Sequence, residues 1–96
     1  MGNTTLRNNT EAQRYELMEG DQVVAFASYQ PVGDDLRMTH TEVVAGNEGK
    51  GYGSALARQV LEDARARNRK IVPVCEFIEG YIRKHPEYAG LVRKEA

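Results

Sequence analysis

Residues 42–56, Glu42-Val43-Val44-Ala45-Gly46-Asn47-Glu48-Gly49-Lys50-Gly51-Tyr52-Gly53-Ser54-Ala55-Leu56, decide how this chain reads. They pass from the end of a strand through a glycine-rich turn into the first turn of an amphipathic helix. Gly49, Gly51 and Gly53 stand at alternate positions and carry no side chain that would hold a ligand away from the backbone. A helix start presents unpaired N–H groups and the positive end of the helix dipole. Together these features form an anion cradle suited to phosphate groups.

Downstream of the turn, a helix is expected from about Gly51 to Arg67. Leu56, Val60 and Ala64 recur at i, i+4 and i+8, and Ala57 and Leu61 widen the apolar stripe. Asn68 tolerates the left-handed conformation that ends helices. Ile71-Val72-Pro73-Val74-Cys75 reads as a short apolar strand, and Pro73 leaves one of its sides without a full set of N–H donors. A second helix follows from Glu76 to His85, with Phe77, Ile78, Tyr81 and Ile82 expected on its buried face and Pro86 as its stop.

Upstream, residues 13–18, 22–30 and 36–44 alternate as half-buried strands do. Gly20-Asp21 marks a tight turn and Pro31 to Asp35 a loop, with residues 3–7 as a short edge strand. Short links make the first part an antiparallel meander. A strand–helix–strand crossover then brings 36–44 and 71–75 side by side in parallel. The fold class is α/β. The glycine turn and Cys75 fall at the C-terminal ends of those two strands, where open α/β sheets bind ligands. With Pro73 weakening the pairing, the strands are expected to splay and leave a slot.

The chain has 96 residues, enough for one domain near the small end of what buries its own core. Its 41% hydrophobic and 28% charged residues are a globular balance. No apolar run approaches the roughly 20 residues of a membrane span, and Met-Gly-Asn-Thr-Thr does not start like a secretory signal. The single cysteine excludes an internal disulfide and suits a reducing cytoplasm. No Cys/His grouping has metal-ligand spacing, so no metal is expected. Net charge is −1, with five Lys/Arg against ten Asp/Glu in residues 1–64 and eight against four in residues 65–96. The basic end favours an anionic ligand, or the segregation is simply a solvated surface. Nucleic-acid binding lacks an aromatic-basic stripe. A P-loop needs its lysine after the second glycine, whereas Lys50 precedes Gly51, and a dinucleotide fingerprint needs a different glycine spacing.

The order of elements resembles the core of the GCN5-related N-acetyltransferases. Their acetyl-CoA signature, Gln/Arg-x-x-Gly-x-Gly/Ala, falls on Glu48, Gly51 and Gly53, with Glu48 departing at the first position. Four further segments are similar to a small, truncated YidJ-like branch that lacks the helices covering the acceptor site. They are His40-Thr41-Glu42, Gly49 to Ser54, Cys75-Glu76-Phe77 and Tyr81 to Tyr88. Glu76 stands where that branch often has proline and adds negative charge beside Cys75.

The resemblance implies a truncated acyl-CoA N-acyltransferase fold, with splayed parallel strands and a C-terminal helix. It implies acetyl-CoA as cosubstrate and an amine or lysine as acceptor; from the charge and hydropathy pattern, no nucleic acid or membrane partner is expected. By the same resemblance, the backbones of Val43 and Val44 would meet pantetheine. Gly49, Lys50, Gly51, Tyr52, Gly53 and Ser54 would hold pyrophosphate. Tyr81 would contact pantetheine or protonate the leaving thiolate, or else belong to the core. Lys84 and His85 would cap their helix or meet a CoA phosphate.

Three residues are candidates for chemistry. Cys75, at a helix start, is a candidate nucleophile, or a small buried hydrophobe. His40 is a candidate base for Cys75 or for an incoming amine, since imidazole is the side chain suited to proton transfer at neutral pH, and is expected on the face lining the slot. Glu42, two residues on, would orient His40, take a proton from the acceptor, or be an ordinary surface carboxylate. The function implied is acetyl-CoA-dependent N-acetyl transfer. The alternative is a CoA-binding module without robust catalysis, since little protein remains to position an acceptor.

Overall fold

The computed structural model describes residues 3–94; residues 1, 2, 95 and 96, which the one-domain reading includes, lie outside the described residues. Strands β1 (Thr4–Asn9), β2 (Arg14–Glu19), β3 (Gln22–Val32) and β4 (Asp35–Val43) form the meander. Helix α1 (Tyr52–Ala66) crosses to β5 (Ile71–Pro73), and α2 (Glu76–Lys84) follows. The sheet order is β1-β2-β3-β4-β5, antiparallel except for the parallel β4–β5 pair. A 3-10 helix, Pro86–Leu91, closes the chain. The sequence reading stopped at Pro86; here proline opens the new turn, at the first helical position, where its missing N–H has no intrahelical role.

Both helices pack on one face of the sheet. Tyr15, Leu17, Ala27, Leu36 and Met38 from the strands meet Leu56, Val60, Leu61, Ile78 and Ile82 from the helices in one buried cluster. Three tyrosine hydroxyls tie the surrounding elements to it. Tyr15 donates to Asp63 at 3.0 Å, Tyr52 to Glu19 at 2.8 Å and Tyr88 to Glu62 at 2.6 Å. Burial, reinforced by its acidic partner, pushes the Tyr88 hydroxyl up to about 12 and keeps it a donor.

Two prolines that suggested interruptions are accommodated by direction. Pro31 lies within β3, opposite Leu36, rather than in a loop. Tyr29 spends its N–H on Gln13 of the β2 side, so Pro31, two residues on, aims its missing donor at an edge β2 has already left. Ile71 accepts the N–H of Arg93 on the outer edge of β5. Alternation therefore turns Pro73 outward too, away from β4. Pro73 does not part β4 from β5. The opening arises because β5 ends opposite Met38 while β4 runs on to Val43. The expected strand to residue 75 is three residues long because Val74 bonds back to Val72 and turns the chain into α2.

β4 also carries a bulge. Tyr29 pairs with Met38 and Ser28 with His40, leaving Thr39 as the extra residue. Before the bulge, Leu36 and Met38 face the core; after it, Thr41 and Val43 take that side while His40 and Glu42 turn to the uncovered face.

Candidate functional site

The glycine turn is built by backbone geometry. Gly49 and Gly51 have φ of 81° and 78°, left-handed values that strain any residue with a side chain. Gly51 is the N-cap of α1, with no side-chain cap and no acidic residue in the first turn. The N–H groups of Tyr52, Gly53 and Ser54 therefore start the helix with no intrahelical acceptor. Gly53 is needed for another reason: a Cβ there would meet the Phe77 ring at 3.0 Å. Glu48 turns its carboxylate onto the Gly46 N–H at 2.9 Å, so it braces the turn from within. Lys50 is exposed, and the Tyr52 side chain points away to Glu19. Only the backbone of Tyr52 can serve the cradle.

Beside the cradle lies a cleft of about 240 Å³ lined by Ser54, Glu76, Phe77, Gly80, Tyr81, Lys84 and His85. The structure thus brings the expected Ser54, Tyr81 and Lys84 together. The His85 ring stacks on Tyr81 at 4.1 Å, and burial raises the Tyr81 hydroxyl above the usual tyrosine range. Phe77, expected in the core, is 43% exposed and lies over Gly53. Sequence reasoning missed it as a site residue because helical spacing put it beside Ile78. Its partner was the missing side chain at Gly53.

The slot is the free edge of β4. Val44 is not part of it: its N–H bonds Val24 at 2.9 Å and its carbonyl accepts from Asn47 at 3.0 Å. This corrects the expectation that Val44 offers backbone groups to a ligand. In an antiparallel ladder alternate residues turn their polar groups to opposite edges. Val43, and Thr41 two residues earlier, therefore aim N–H and C=O into the slot. Thr41 was missed because its side chain suggested only an ordinary strand position. At the head of the slot, Cys75 donates its backbone N–H to Met38 at 2.8 Å and starts α2. Its Sγ is 3.3 Å from Thr41 Oγ1 and nearly buried. Glu76 and Glu79 occupy the first turn of α2.

His40 does not meet Cys75. The bulge sends its ring to the other face of β4, where it lies 3.1 Å from Glu42 and 6.2 Å, centroid to centroid, from Phe26. The expected shared face is corrected: Thr41, not His40, touches the thiol. His40 and Glu42 do lie together, both more than half exposed.

The uncovered face continues as two cross-strand rows. One runs Asn9, Arg14, Ser28, His40; the other runs Arg7, Glu16, Phe26, Glu42. Glu16 is 1% exposed. Arg7 binds one of its oxygens through Nε and Nη2, and Arg14 Nε binds the other at 2.7 Å beside Asn9. Burial opposes its ionisation, but these hydrogen bonds outweigh it and hold the carboxyl below the usual glutamate range. Among the described residues no group of His, Cys, Asp and Glu could hold a metal ion, and no helix is long and apolar enough to cross a membrane.

A mixed sheet with a glycine-turn helix start and an opened parallel pair is an architecture consistent with binding acyl-CoA. The family model described as GCN5-related N-acetyl-transferase matches residues 14–91, and the chain belongs to that family. Its fold is similar to an NMR solution structure from Staphylococcus aureus, described as a GCN5-like candidate N-acetyltransferase. The TM-score is 0.69 at 23% identity, over 100% of this chain and 94% of that one. No curated protein matches the chain.

Proposed function

We propose that the chain is an acetyl-CoA-dependent N-acetyltransferase of the small branch without acceptor-covering helices, and that its amine acceptor arrives on the uncovered sheet face. One observation carries this reading. Residues 40–43 of β4 combine an open hydrogen-bonding edge, at Thr41 and Val43, with the His40–Glu42 pair on the bare side. The first supports binding of a pantetheine arm, the second a proton acceptor beside it.

The chain's own groups divide the work. The N–H groups of residues 49–54 would hold pyrophosphate, with Ser54, Tyr81 and Lys84 along the adjoining cleft. The acceptor nitrogen attacks the thioester carbonyl carbon; the C–N bond forms, the C–S bond breaks and CoA leaves as a thiolate. His40, oriented by Glu42, takes the proton that nitrogen sheds. Tyr81, kept protonated by burial, is the donor proposed for the thiolate.

A covalent route through Cys75 is the second reading, supported by its Sγ at the head of the slot. Glu76 and Glu79 beside it oppose a thiolate, which favours direct attack.

Intact mass spectrometry with acetyl-CoA and a panel of amines and lysine peptides tests all of this. Acetylated amine with unmodified protein is the expected result. An acetyl group on the protein that hydroxylamine removes and Cys75→Ala abolishes would establish the covalent route instead. Tight CoA binding with no acetylated product from any amine would leave a CoA-binding module.

A further inference from the structure

The uncovered face holds a cationic group built into the fold at a fixed distance from the proposed base. Arg14 spends its Nε on the buried Glu16 carboxylate. No described residue partners its terminal nitrogens. Its guanidinium is further fixed by lying 4.3 Å above the Phe26 ring. Phe26 in turn neighbours His40. Glu16 is shared with Arg7, so one carboxylate faces two guanidiniums, while the other carboxylate of this face, Glu42, lies beside His40. Arg14, Ser28 and His40 occupy one cross-strand row. Adjacent strands lie about 4.8 Å apart, so β2 and β4 are separated by about 10 Å. The surface between them is the half-buried Phe26 ring and the small Ser28.

From this geometry we infer that the acceptor is an amine that carries its own carboxylate. The carboxylate sits on the terminal nitrogens of Arg14, a flexible apolar stem of about five carbons crosses Ser28 beside the Phe26 ring, and the amine reaches His40 and Glu42. The inference rests on the proposed acetyl transfer and adds the substrate class. Guanidinium, ring and His–Glu pair are all held by strands, so the acceptor needs no covering helix to be oriented. Glu16 positions Arg14 without touching the substrate. A simple alkylamine would find only the stem contact and Glu42.

Two twins differing only in the anion test the inference: 6-aminohexanoate and 6-aminohexanamide, each titrated into the CoA-loaded protein and followed by two-dimensional NMR. The carboxylate is expected to bind about tenfold more tightly, with shifts centred on Arg14, Phe26 and His40. Arg14→Gln keeps a donor for Glu16 and is expected to make the two twins equal. Should that variant fail to fold, Ser28→Asp places a negative charge on the same row without touching Glu16 and is expected to erase the preference too. Equal binding of the twins by the wild type, or shifts elsewhere on the protein, would overturn the inference even if hexylamine is acetylated. Absence of CoA-induced shifts at residues 49–54 would instead count against the proposed function. Steady-state turnover gives the matching split: Arg14→Gln should raise KM for 6-aminohexanoate several-fold more than KM for the amide.

Discussion

The two faces of β4 are made of the same nine residues and do different work. Leu36 and Met38 are sealed under the helices, where every contact is apolar packing. His40 and Glu42 stand in solvent, in contact with each other along β4, with His40 beside the Phe26 ring on which Arg14 rests. A small fold can thus keep its core on one side and leave polar groups of the same strand open to solvent on the other. A single extra residue, Thr39, decides which side chains go where.

Truncation costs most on the covered face. Leu56→Ala should cost about 2–5 kcal/mol of stability in denaturant unfolding, since Leu56 is wholly buried. An unchanged unfolding midpoint would contradict a sealed core beneath the helices.

Glu16 tests the uncovered side. Glu16→Leu should cost about 1–3 kcal/mol at neutral pH, less than the core truncation because its arginine partners are partly exposed. Its folded-state carboxyl titrates below the ordinary value of 4.5. The network therefore stabilises fully above that pH and loses its contribution as the pH falls through the lower, folded-state value. The wild type should lose stability over this acid range, and the variant should lose less; parallel pH curves would contradict the network. Smallest is the cradle. Gly53→Val should push Phe77 aside and weaken CoA binding about tenfold by calorimetry, about 1.4 kcal/mol. Unchanged affinity would remove Gly53 and Phe77 from the site.

Much of this was legible in the residues. The meander, the crossover, α1 with its Leu56-Val60-Ala64 stripe, and Asn68 in the left-handed conformation follow from periodicity and turn chemistry. Four features were not legible, each for a physical reason. Counting by twos from Leu36 and Met38 puts His40 on the core side, because a bulge leaves no mark in an alternating pattern. Counting by helical turns puts Phe77 inside, because nothing in α2 reveals that its ring rests on Gly53. Pro73 suggested the splay because a missing donor is visible in a sequence and its direction is not. Glu16 and its arginines were passed over for a similar reason. Arg7, Arg14 and Glu16 look like ordinary strand surface until the register sets them side by side.

Acetyl transfer by wild type and His40→Ala, read by CoA release, is the most direct test. His40 on the uncovered face, backed by Glu42, is expected to take the acceptor's proton. The variant should lose roughly 10²-fold in kcat/KM and bind CoA as the wild type does. A folded His40→Ala protein with wild-type turnover would contradict this role.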